Sequence, residues 1–167
     1  RSKAQGTSWE YVDFGGKTVQ AIAATSQGRI FSSVSVPRYA IHETYFSDNR
    51  GDTWFVCHRV SSVHSPVSKL ASNANGYIFG GSGNYFYRSN ENGENGSWIV
   101  FLSGLSVAVH GIDGQDHLLR SSNNHVYVSQ TNGESWRDFS MGLPNIRIDC
   151  FAFDADGIMY AGGSNGI

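Results

Sequence analysis

A short motif ending in tryptophan recurs along the chain and divides it into units of similar length. The octet at residues 47–54 (SDNRGDTW) returns at residues 129–136 (SQTNGESW), and a weaker copy occupies residues 2–9. A fourth copy, lengthened by two residues, occupies residues 89–98. The four tryptophans are therefore 45, 44 and 38 positions apart: Trp9, Trp54, Trp98 and Trp136. Repetition at such a period predicts a repeat protein and constrains the fold more than any other pattern in the sequence.

Three short apolar runs precede the motif in each unit, and one run follows its tryptophan. In the second unit the preceding runs are residues 69–71 (KLA), 76–81 (GYIFGG) and 86–88 (FYR), the last leading into the serine of the motif. Four strands in about 40 to 45 residues make one blade of a β-propeller. The third unit departs from the pattern, because its first run (108–110, AVH) is followed one residue late by residues 117–119 (HLL), without the glycine. We therefore expect an all-β fold, a β-propeller of four-stranded antiparallel blades.

The octet has a local explanation as a hairpin turn. Its glycine supplies a positive φ, its Asn or Thr side chain bonds nearby backbone amides, and the Ser or Thr before the tryptophan bonds in the same way. The tryptophan adds a large apolar side chain with one N–H to satisfy, which suits a slot between blades. We interpret these residues as folding devices. In the two best copies they are Ser47, Asn49, Gly51, Thr53 and Trp54, and Ser129, Thr131, Gly133, Ser135 and Trp136.

The pattern Ser-x-Asp-x-Gly-x-Ser/Thr-Trp, with a preceding segment such as residues 157–164 (GIMYAGGS), resembles the Asp-box, or BNR repeat, of the sialidase-like β-propeller families. The resemblance covers essentially the whole chain and implies the propeller architecture. It implies little about activity, because these families include sialidases, xyloglucan-cleaving hydrolases, sorting receptors, photosystem assembly factors and non-catalytic modules. The aspartate of the box is replaced in every copy, by Ala4, Asn49, Glu91 and Thr131. We therefore expect the boxes to bind no metal.

The composition argues against several classes of protein. Twenty glycines among 167 residues and an aromatic content of 13% fit many short strands with tight turns. A net charge of −2 provides no basic surface for nucleic acid. No apolar run is long enough to span a membrane, no zinc-type spacing of cysteine and histidine occurs, and we expect no cofactor. Low lysine content and the family resemblance favour an exported protein that is secreted, periplasmic or bound to the cell surface.

The two cysteines are expected to lie far apart. Cys57 follows Trp54 in an outer strand, and Cys150 stands at the start of an inner strand two blades later. We therefore predict no disulfide between them and interpret both as small buried hydrophobic residues.

The whole chain, residues 1–167, is expected to form one propeller region of four repeats. Its first residues match Arg88 and Ser89 and its last match about Tyr85 and Phe86, so the repeat is interrupted inside a third strand. Either the ends share one blade and close a small four-bladed ring, which leaves no exposed strand edge, or the blades belong to a larger propeller of about six to eight blades. Additional blades or a second copy would complete the larger ring. The Asp-box resemblance favours that second arrangement.

The residue inventory argues against catalysis. The resemblance to sialidases would require an arginine triad, an early Arg-Ile-Pro segment and a Tyr/Glu pair, whereas the nearest segment is residues 36–39 (VPRY). A glycosidase needs two facing carboxylates about 5 to 10 Å apart. The spacing of the available carboxylates pairs none of them, and we interpret Asp113 and Asp154 as turn formers. The available carboxylates are Glu43, Asp13, Asp113, Asp149 and Asp154.

One interruption of the repeat points to a ligand. The octet's serine lies 16 positions after the second run in the first unit, but 10 positions after it in the second and third units. The extra residues fall within residues 36–43 (VPRYAIHE), and insertions on a repeat scaffold form loops that often lie on the binding face. The alternative is a solvated loop or one that covers a strand edge. The candidate ligand-binding residues are Arg38, Tyr39, His42 and Glu43, with His110, which replaces an inner-strand alanine and is the one imidazole placed to face the channel.

These observations predict a non-catalytic binding or scaffold module for a glycan or protein ligand. A fragment of a sialidase-like or xyloglucanase-like glycoside hydrolase, with its catalytic residues in further blades, is the alternative. A structural domain of a larger surface protein is a third interpretation. Expected partners also include a further copy of the chain.

Overall fold

A computed structural model of the chain describes residues 1–36, 41–60, 67–82, 85–103, 109–122 and 124–164. All regular secondary structure in these ranges is β-strand, arranged in antiparallel sheets. None of them contains a helix long and apolar enough to cross a membrane. The predicted all-β fold is confirmed.

Three sheets contain four strands each and form consecutive blades, and a two-stranded hairpin follows them. In every sheet the strands lie side by side in chain order. Blade 1 contains β1 (Thr18–Ala24), β2 (Ile30–Val36), β3 (Ile41–Ser47) and β4 (Phe55–Val60). Blade 2 contains β5 (Lys69–Ser72), β6 (Ile78–Ser82), β7 (Tyr85–Ser89) and β8 (Trp98–Ser103). Blade 3 contains β9 (Gly111–Ile112), β10 (Leu118–Ser122), β11 (His125–Ser129) and β12 (Arg137–Asp138), and the C-terminal hairpin contains β13 (Ile148–Phe153) and β14 (Met159–Gly163).

The first strands of the four units contact one another in succession, β1 with β5, β5 with β9 and β9 with β13. Because the sheets keep their chain order, the later strands of each blade lie farther from the common axis. This radial arrangement is that of a β-propeller. Three of the four predicted blades are complete, and a hairpin occupies the position of the fourth.

One side chain closes the turn between the first two strands of each unit. Asp113 Oδ1 accepts the N–H of His117 at 2.9 Å, and Asp154 Oδ1 accepts the N–H of Ile158 at 2.8 Å. Thr25 and Asn73 make the equivalent bonds in the first two units. The prediction that Asp113 and Asp154 form turns is confirmed, and it leaves each carboxylate engaged with its own backbone.

The third unit is in register with the others, so the one-residue offset expected from its sequence was wrong. Gly111 pairs with Leu119 as Ala71 pairs with Phe79, so the first run of this unit is residues 109–111. The missing glycine is replaced by Asp116, which adopts its left-handed backbone at φ 64°. Aspartate tolerates this conformation better than most residues because its short side chain can hydrogen-bond locally.

The serine that opens each octet is the centre of its turn. Ser129 Oγ accepts the N–H groups of Thr131 at 3.2 Å and Gly133 at 2.9 Å, and the Nε1–H of Trp136 donates to the Gly133 carbonyl at 3.0 Å. The same bonds occur in two other copies, where Ser47 accepts the N–H groups of Asn49 and Gly51, and Ser89 accepts those of Glu91 and Gly93. Trp54 donates to the carbonyl of Gly51, and Trp98 donates to that of Gly93. In the first octet Asn49 also accepts the N–H of Thr53, and in the last Thr131 accepts that of Ser135. The serine side chain of each octet, and the Asn49 and Thr131 side chains, therefore bond within their own turns.

The core consists of three apolar layers, each between two successive units. The first layer joins Phe31 and Cys57 of blade 1 to Ile78, Tyr87 and Trp98 of blade 2, and these side chains are at most 9% exposed. The second joins Phe79 and Phe86 of blade 2 to Val109 and Leu118 of blade 3. The third joins Leu119 and Val126 of blade 3 to Ile148 of the C-terminal hairpin. Stability therefore depends on the contact of each blade with its neighbours, as in other repeat proteins.

Arginines connect each octet to the preceding unit. Arg88 donates to the carbonyl of Asn132 at 2.9 Å and lies 3.5 Å from the Glu134 carboxylate. Arg29 makes the same contacts with Asn92 and Glu94, at 2.9 and 2.6 Å. Because the carboxylates are more than half exposed, the charge pairs add little stability, and the arginines act mainly by satisfying the turn carbonyls.

One arginine in blade 3 is buried, and no described carboxylate forms an ion pair with it. Arg120 is 5% exposed and its guanidinium lies between the rings of Trp136 and Tyr127, 4.6 and 4.8 Å from their centroids. Among the described residues, its Nε and Nη1 atoms have no hydrogen-bond partner. Burial lowers the pKa of Arg120, because the charged form loses hydration.

Three sequence predictions about the outermost units are wrong. Trp9 is 76% exposed, because no blade lies beside it, and residues 10–12 form no strand, because no third strand accompanies them. Cys150 is exposed rather than buried, since it faces away from blade 3 on β13. Cys57 is buried as predicted, and both thiols are free.

Candidate functional site

The described candidate residues, His42, Glu43 and His110, lie at one end of the blades. We call it the rim end, where the first strand of each blade begins and the second strand ends; the octets lie at the opposite end. Of the predicted insertion, residues 37–40 lie outside the described residues, whereas Val36 pairs with Ile41 and Ser35 with His42, so its described residues belong to β2 and β3. The strands β2 and β3 have seven residues each, against five in β6 and β7, so each strand is two residues longer than its equivalent in blade 2.

Two of the predicted residues, Arg38 and Tyr39, lie outside the described residues. His42 lies on β3, opposite Ser35 on one side and Val60 on the other. Burial lowers the pKa of its imidazole, so the ring is neutral at physiological pH. Among the described residues its Nδ1 atom has no hydrogen-bond partner.

Glu43 is the most highly connected of the predicted residues. Its carboxylate is 8% exposed and accepts bonds from Lys17 Nζ at 2.8 Å, Arg59 Nε at 2.9 Å and the Tyr45 hydroxyl at 2.7 Å. Lys17 also donates to the Tyr45 hydroxyl. Burial alone would raise the pKa of Glu43, but the bonds from Lys17 and Tyr45 and the charge of Arg59 hold it below its ordinary value. The Glu43 carboxylate is therefore ionised, and its oxygens are already bonded to Lys17, Arg59 and Tyr45.

The Glu43 cluster has the wrong properties for nucleophilic catalysis. A catalytic tyrosine needs a lowered pKa or an adjacent free base. Burial raises the pKa of Tyr45, and the neighbouring Glu43 is already bonded to two cations. We conclude that Glu43 holds β3 to β4 and to the segment before β1, a structural role that the sequence did not reveal.

His110 lies in a cleft between blade 3 and the C-terminal hairpin. The cleft has a volume of about 420 Å³ and is bordered at the rim end by Ser122, Asn124, Arg147 and Asp149. The His110 ring lies 6.5 Å from the ring of Phe151 on β13. We call this set of residues the His110 cleft.

Hydrogen bonds determine which nitrogen of His110 carries its proton. Ser121 Oγ donates to the carbonyl of Ile148 at 2.5 Å, so it accepts from His110 Nδ1 at 2.9 Å. This assignment leaves Nε2 as an acceptor. Burial lowers the pKa of His110, and the charge of Lys69 lowers it further against the opposing effect of Asp149, so the ring stays neutral.

The same bonds exclude a catalytic serine at this position. Ser121 is 7% exposed and gives its only proton to a backbone carbonyl, so His110 has no proton to remove. Asp149 is bonded to Arg147 at 2.7 Å. A triad requires the aspartate to orient the histidine and the histidine to activate the serine, and neither contact is present among the described residues.

The structure thus separates the predicted residues into two places, with His42 and Glu43 in blade 1 and His110 in blade 3. Sequence reasoning missed Lys17, Tyr45 and Arg59 around Glu43, and Arg147 and Asn124 around His110. An alternating pattern was the available signal, because side chains two positions apart share one strand face. Glu43 and Tyr45 on β3 satisfy it, and Arg147, just before β13, has the same spacing from Asp149.

Comparison with known proteins identifies the fold. No family model and no curated protein sequence matches the chain. Among solved structures, the chain is similar to YCF48 bound to a D1 peptide, with a TM-score of 0.61 and 9% identity over 93% of this chain and 49% of that one. The extracellular domain of the putative one-component system BT4673 from B. thetaiotaomicron has a TM-score of 0.65 and 14% identity over 89% and 21% of the two chains.

A catalytic protein is among the similar structures. The GH74 xyloglucanase from Xanthomonas campestris has a TM-score of 0.62 and 17% identity over 89% of this chain and 27% of that one. The chain thus spans about half the length of the YCF48 chain and about a quarter or less of the other two. At these identities the similarity concerns the fold alone, and with the sheet order it shows that the chain folds as consecutive blades of a β-propeller.

Proposed function

We propose that the chain is a non-catalytic propeller module that binds a segment of a partner protein at the rim end of its blades. The observation that carries the proposal is the His110 cleft, where a neutral imidazole acceptor, the amide of Asn124 and the Arg147–Asp149 pair border one polar cavity. These groups match the donors and acceptors of a peptide backbone. The similarity to YCF48 bound to a D1 peptide supports a peptide as the ligand.

Five carboxylates that the sequence offered for catalysis have other partners, and Asp13 is one of them, since it accepts the N–H of Gly15. Glu43 is held by two cations, Asp113 and Asp154 close turns, and Asp149 is paired with Arg147. A glycoside hydrolase needs one carboxylic acid and one free carboxylate on opposite sides of the substrate. The alternative, that the chain is a fragment of a glycoside hydrolase, is supported by the similarity to the GH74 xyloglucanase. A glycan is therefore the second class of ligand to test.

A displayed library of random peptides and a glycan array, both probed with the purified chain, test the proposal. We expect enriched peptides whose affinity falls about 5-fold to 100-fold in His110→Ala and in Arg147→Ala, the range of a central interface contact. Gln115→Ala is the matched control, because this exposed residue lies in the same blade at the opposite end and should leave affinity unchanged. Peptide binding that is insensitive to both cleft variants would contradict the proposal.

Hydrolysis provides a separate test of the alternative. We expect no turnover of xyloglucan or sialosides by the chain. Turnover that disappears in Glu43→Gln or Asp149→Asn would replace the binding assignment by the hydrolase.

We also propose that the protein is exported. The extracellular nature of the BT4673 domain supports this localisation, and cell fractionation of the native host would test it.

A further inference from the structure

The octet of blade 2 contains two residues that the other octets lack. Without Asn95 and Gly96, residues 89–98 (SNENGENGSW) would read SNENGESW. This shortened form has the same last five residues as the octet of blade 3, residues 129–136 (SQTNGESW). The extra pair therefore stands between Glu94 and Ser97.

The octet closes without using the extra pair. Ser89 Oγ accepts the N–H of Gly93 at 3.1 Å, and the Nε1–H of Trp98 donates to the Gly93 carbonyl at 3.3 Å. The same bonds close the octets of blades 1 and 3, which have no extra residues. The folding of the blade therefore does not explain why Asn95 and Gly96 are present.

Asn95 and Gly96 occupy the two central positions of an exposed turn. The N–H of Ser97 donates to the Glu94 carbonyl at 3.1 Å, and Gly96 has φ 87°, as the third residue of a type II turn requires. Both central residues are exposed, and no atom lies within 4 Å of a Cβ atom built on Gly96. Asn95 is therefore accessible at the tip of a surface turn.

The extra pair also creates a modification motif, because it places an asparagine two positions before the serine of the octet. The sequence contains twelve asparagines, and Asn95 is the one that is followed two positions later by serine or threonine. The pattern Asn-x-Ser, in which x is not proline, is the acceptor motif of N-linked glycosylation, and in exported proteins it lies in surface loops. The turn at residues 94–97 provides that context.

We propose that Asn95 is the acceptor of an N-linked oligosaccharide, a modification that rests on the proposed export of the protein. The donor class is an oligosaccharide linked to a polyprenyl pyrophosphate. A bond forms between the side-chain amide nitrogen of Asn95 and C1 of the first sugar, while the bond from C1 to the pyrophosphate oxygen breaks. The lipid pyrophosphate leaves with the electron pair of that bond, and the amide nitrogen loses one proton.

The folded chain has room for the attached sugar. A cleft of about 490 Å³ separates the turn at Asn95 from β4, where His58 and Arg59 line its other side. The octets lie at the opposite end of the blades from the rim end. An oligosaccharide on Asn95 therefore leaves the His110 cleft accessible to a ligand.

Secretion of the chain from eukaryotic cells, with a signal sequence attached, tests the acceptor by intact mass before and after treatment with an endoglycosidase that releases N-linked sugars. We expect one oligosaccharide per chain, released with conversion of the asparagine to aspartate. Asn95→Gln and Ser97→Ala should each abolish the modification, because each removes one half of the motif. Asn75→Gln is the matched control, since Asn75 also precedes a glycine in an exposed turn of blade 2 but lies outside the motif.

Deletion of Asn95 and Gly96 separates modification from folding. This variant has an octet of ordinary length, so it should lose the oligosaccharide and keep its melting temperature nearly unchanged. A chain secreted without carbohydrate, or one that keeps its oligosaccharide in Ser97→Ala, would overturn the proposal. Fractionation of the native host tests export independently: a cytosolic chain whose Asn95 is modified in secreting cells would contradict export and support the acceptor.

Discussion

The octet glycine of blade 2 offers a direct test of the layer between blades. Gly93 has φ 73°, and a Cβ atom built on it would lie 2.3 Å from Cε1 and 2.4 Å from Cζ of Phe31 in blade 1. Gly93→Ala therefore combines two costs. A left-handed backbone costs a residue with a side chain about 1 to 2 kcal/mol, and forcing an extra methyl group into a packed core costs about 1 to 3 kcal/mol more.

Gly76→Ala is the matched control within the same blade. Gly76 has φ 83°, and no atom lies within 4 Å of a Cβ atom built on it. This variant should lose only the backbone contribution of about 1 to 2 kcal/mol. We therefore expect Gly93→Ala to lower the free energy of unfolding by about 2 to 5 kcal/mol, the sum of both costs.

Thermal and urea unfolding measure the difference. For a domain of this size each kcal/mol lowers the melting temperature by about 2 to 4 °C. Replacing the Phe31 ring by the smaller leucine side chain should make room for the methyl group of Gly93→Ala. The double variant Phe31→Leu/Gly93→Ala should therefore show a favourable coupling energy of about 1 kcal/mol or more. Equal destabilisation by Gly93→Ala and Gly76→Ala, with no coupling to Phe31, would show that the Phe31 ring of blade 1 does not restrict the side chain at position 93.

Three further predictions concern burial. Burial lowers the pKa of His58 to about 4, below the unfolded value of about 6.5; the unfolded state therefore takes up its proton first, and stability should fall as the pH drops from about 6.5 to about 4. Urea unfolding at several pH values should show a smaller fall in His58→Gln, and identical profiles would contradict the assignment. Trp98→Ala should cost about 3 to 5 kcal/mol by thermal unfolding, whereas Trp9→Ala, at a 76% exposed position, should cost almost nothing; equal losses would undo the blade assignment. Arg120→Met should raise the free energy of unfolding by about 1 to 2 kcal/mol because it removes buried unpaired donors, and a loss would show that its stacking between aromatic rings matters more.

The strands and turns of each unit were predictable from the sequence, because they depend on residues that are close together in the chain. The turn at Asp113 and the octet at Ser129 each close through bonds between residues two to four positions apart. Such contacts form wherever those residue types stand in that order, whatever lies beside them. The register of the third unit was misjudged because Asp116 takes the place of a glycine at positive φ, and only the ladder between β9 and β10 shows the equivalence.

The candidate site was predicted less well because its residues come from distant parts of the chain. His110 and Arg147 border one cleft although 37 positions separate them in the sequence. Glu43 was expected in a loop that contacts a ligand, whereas pairing of β2 with β3 continues past it and brings Lys17 and Arg59 to its carboxylate. No local pattern encodes such partners.

The sequence by itself determined the repeat, the four-strand unit and the octet turns, because periodic apolar runs and turn residues act over a few positions of chain. Only the tertiary structure decided which surfaces are buried. Trp98 and Trp9 stand at equivalent places in their octets, yet one is 9% exposed and the other 76%. The physical reason is that a blade buries its apolar face only against another blade, so the fate of each side chain depends on its neighbour in space.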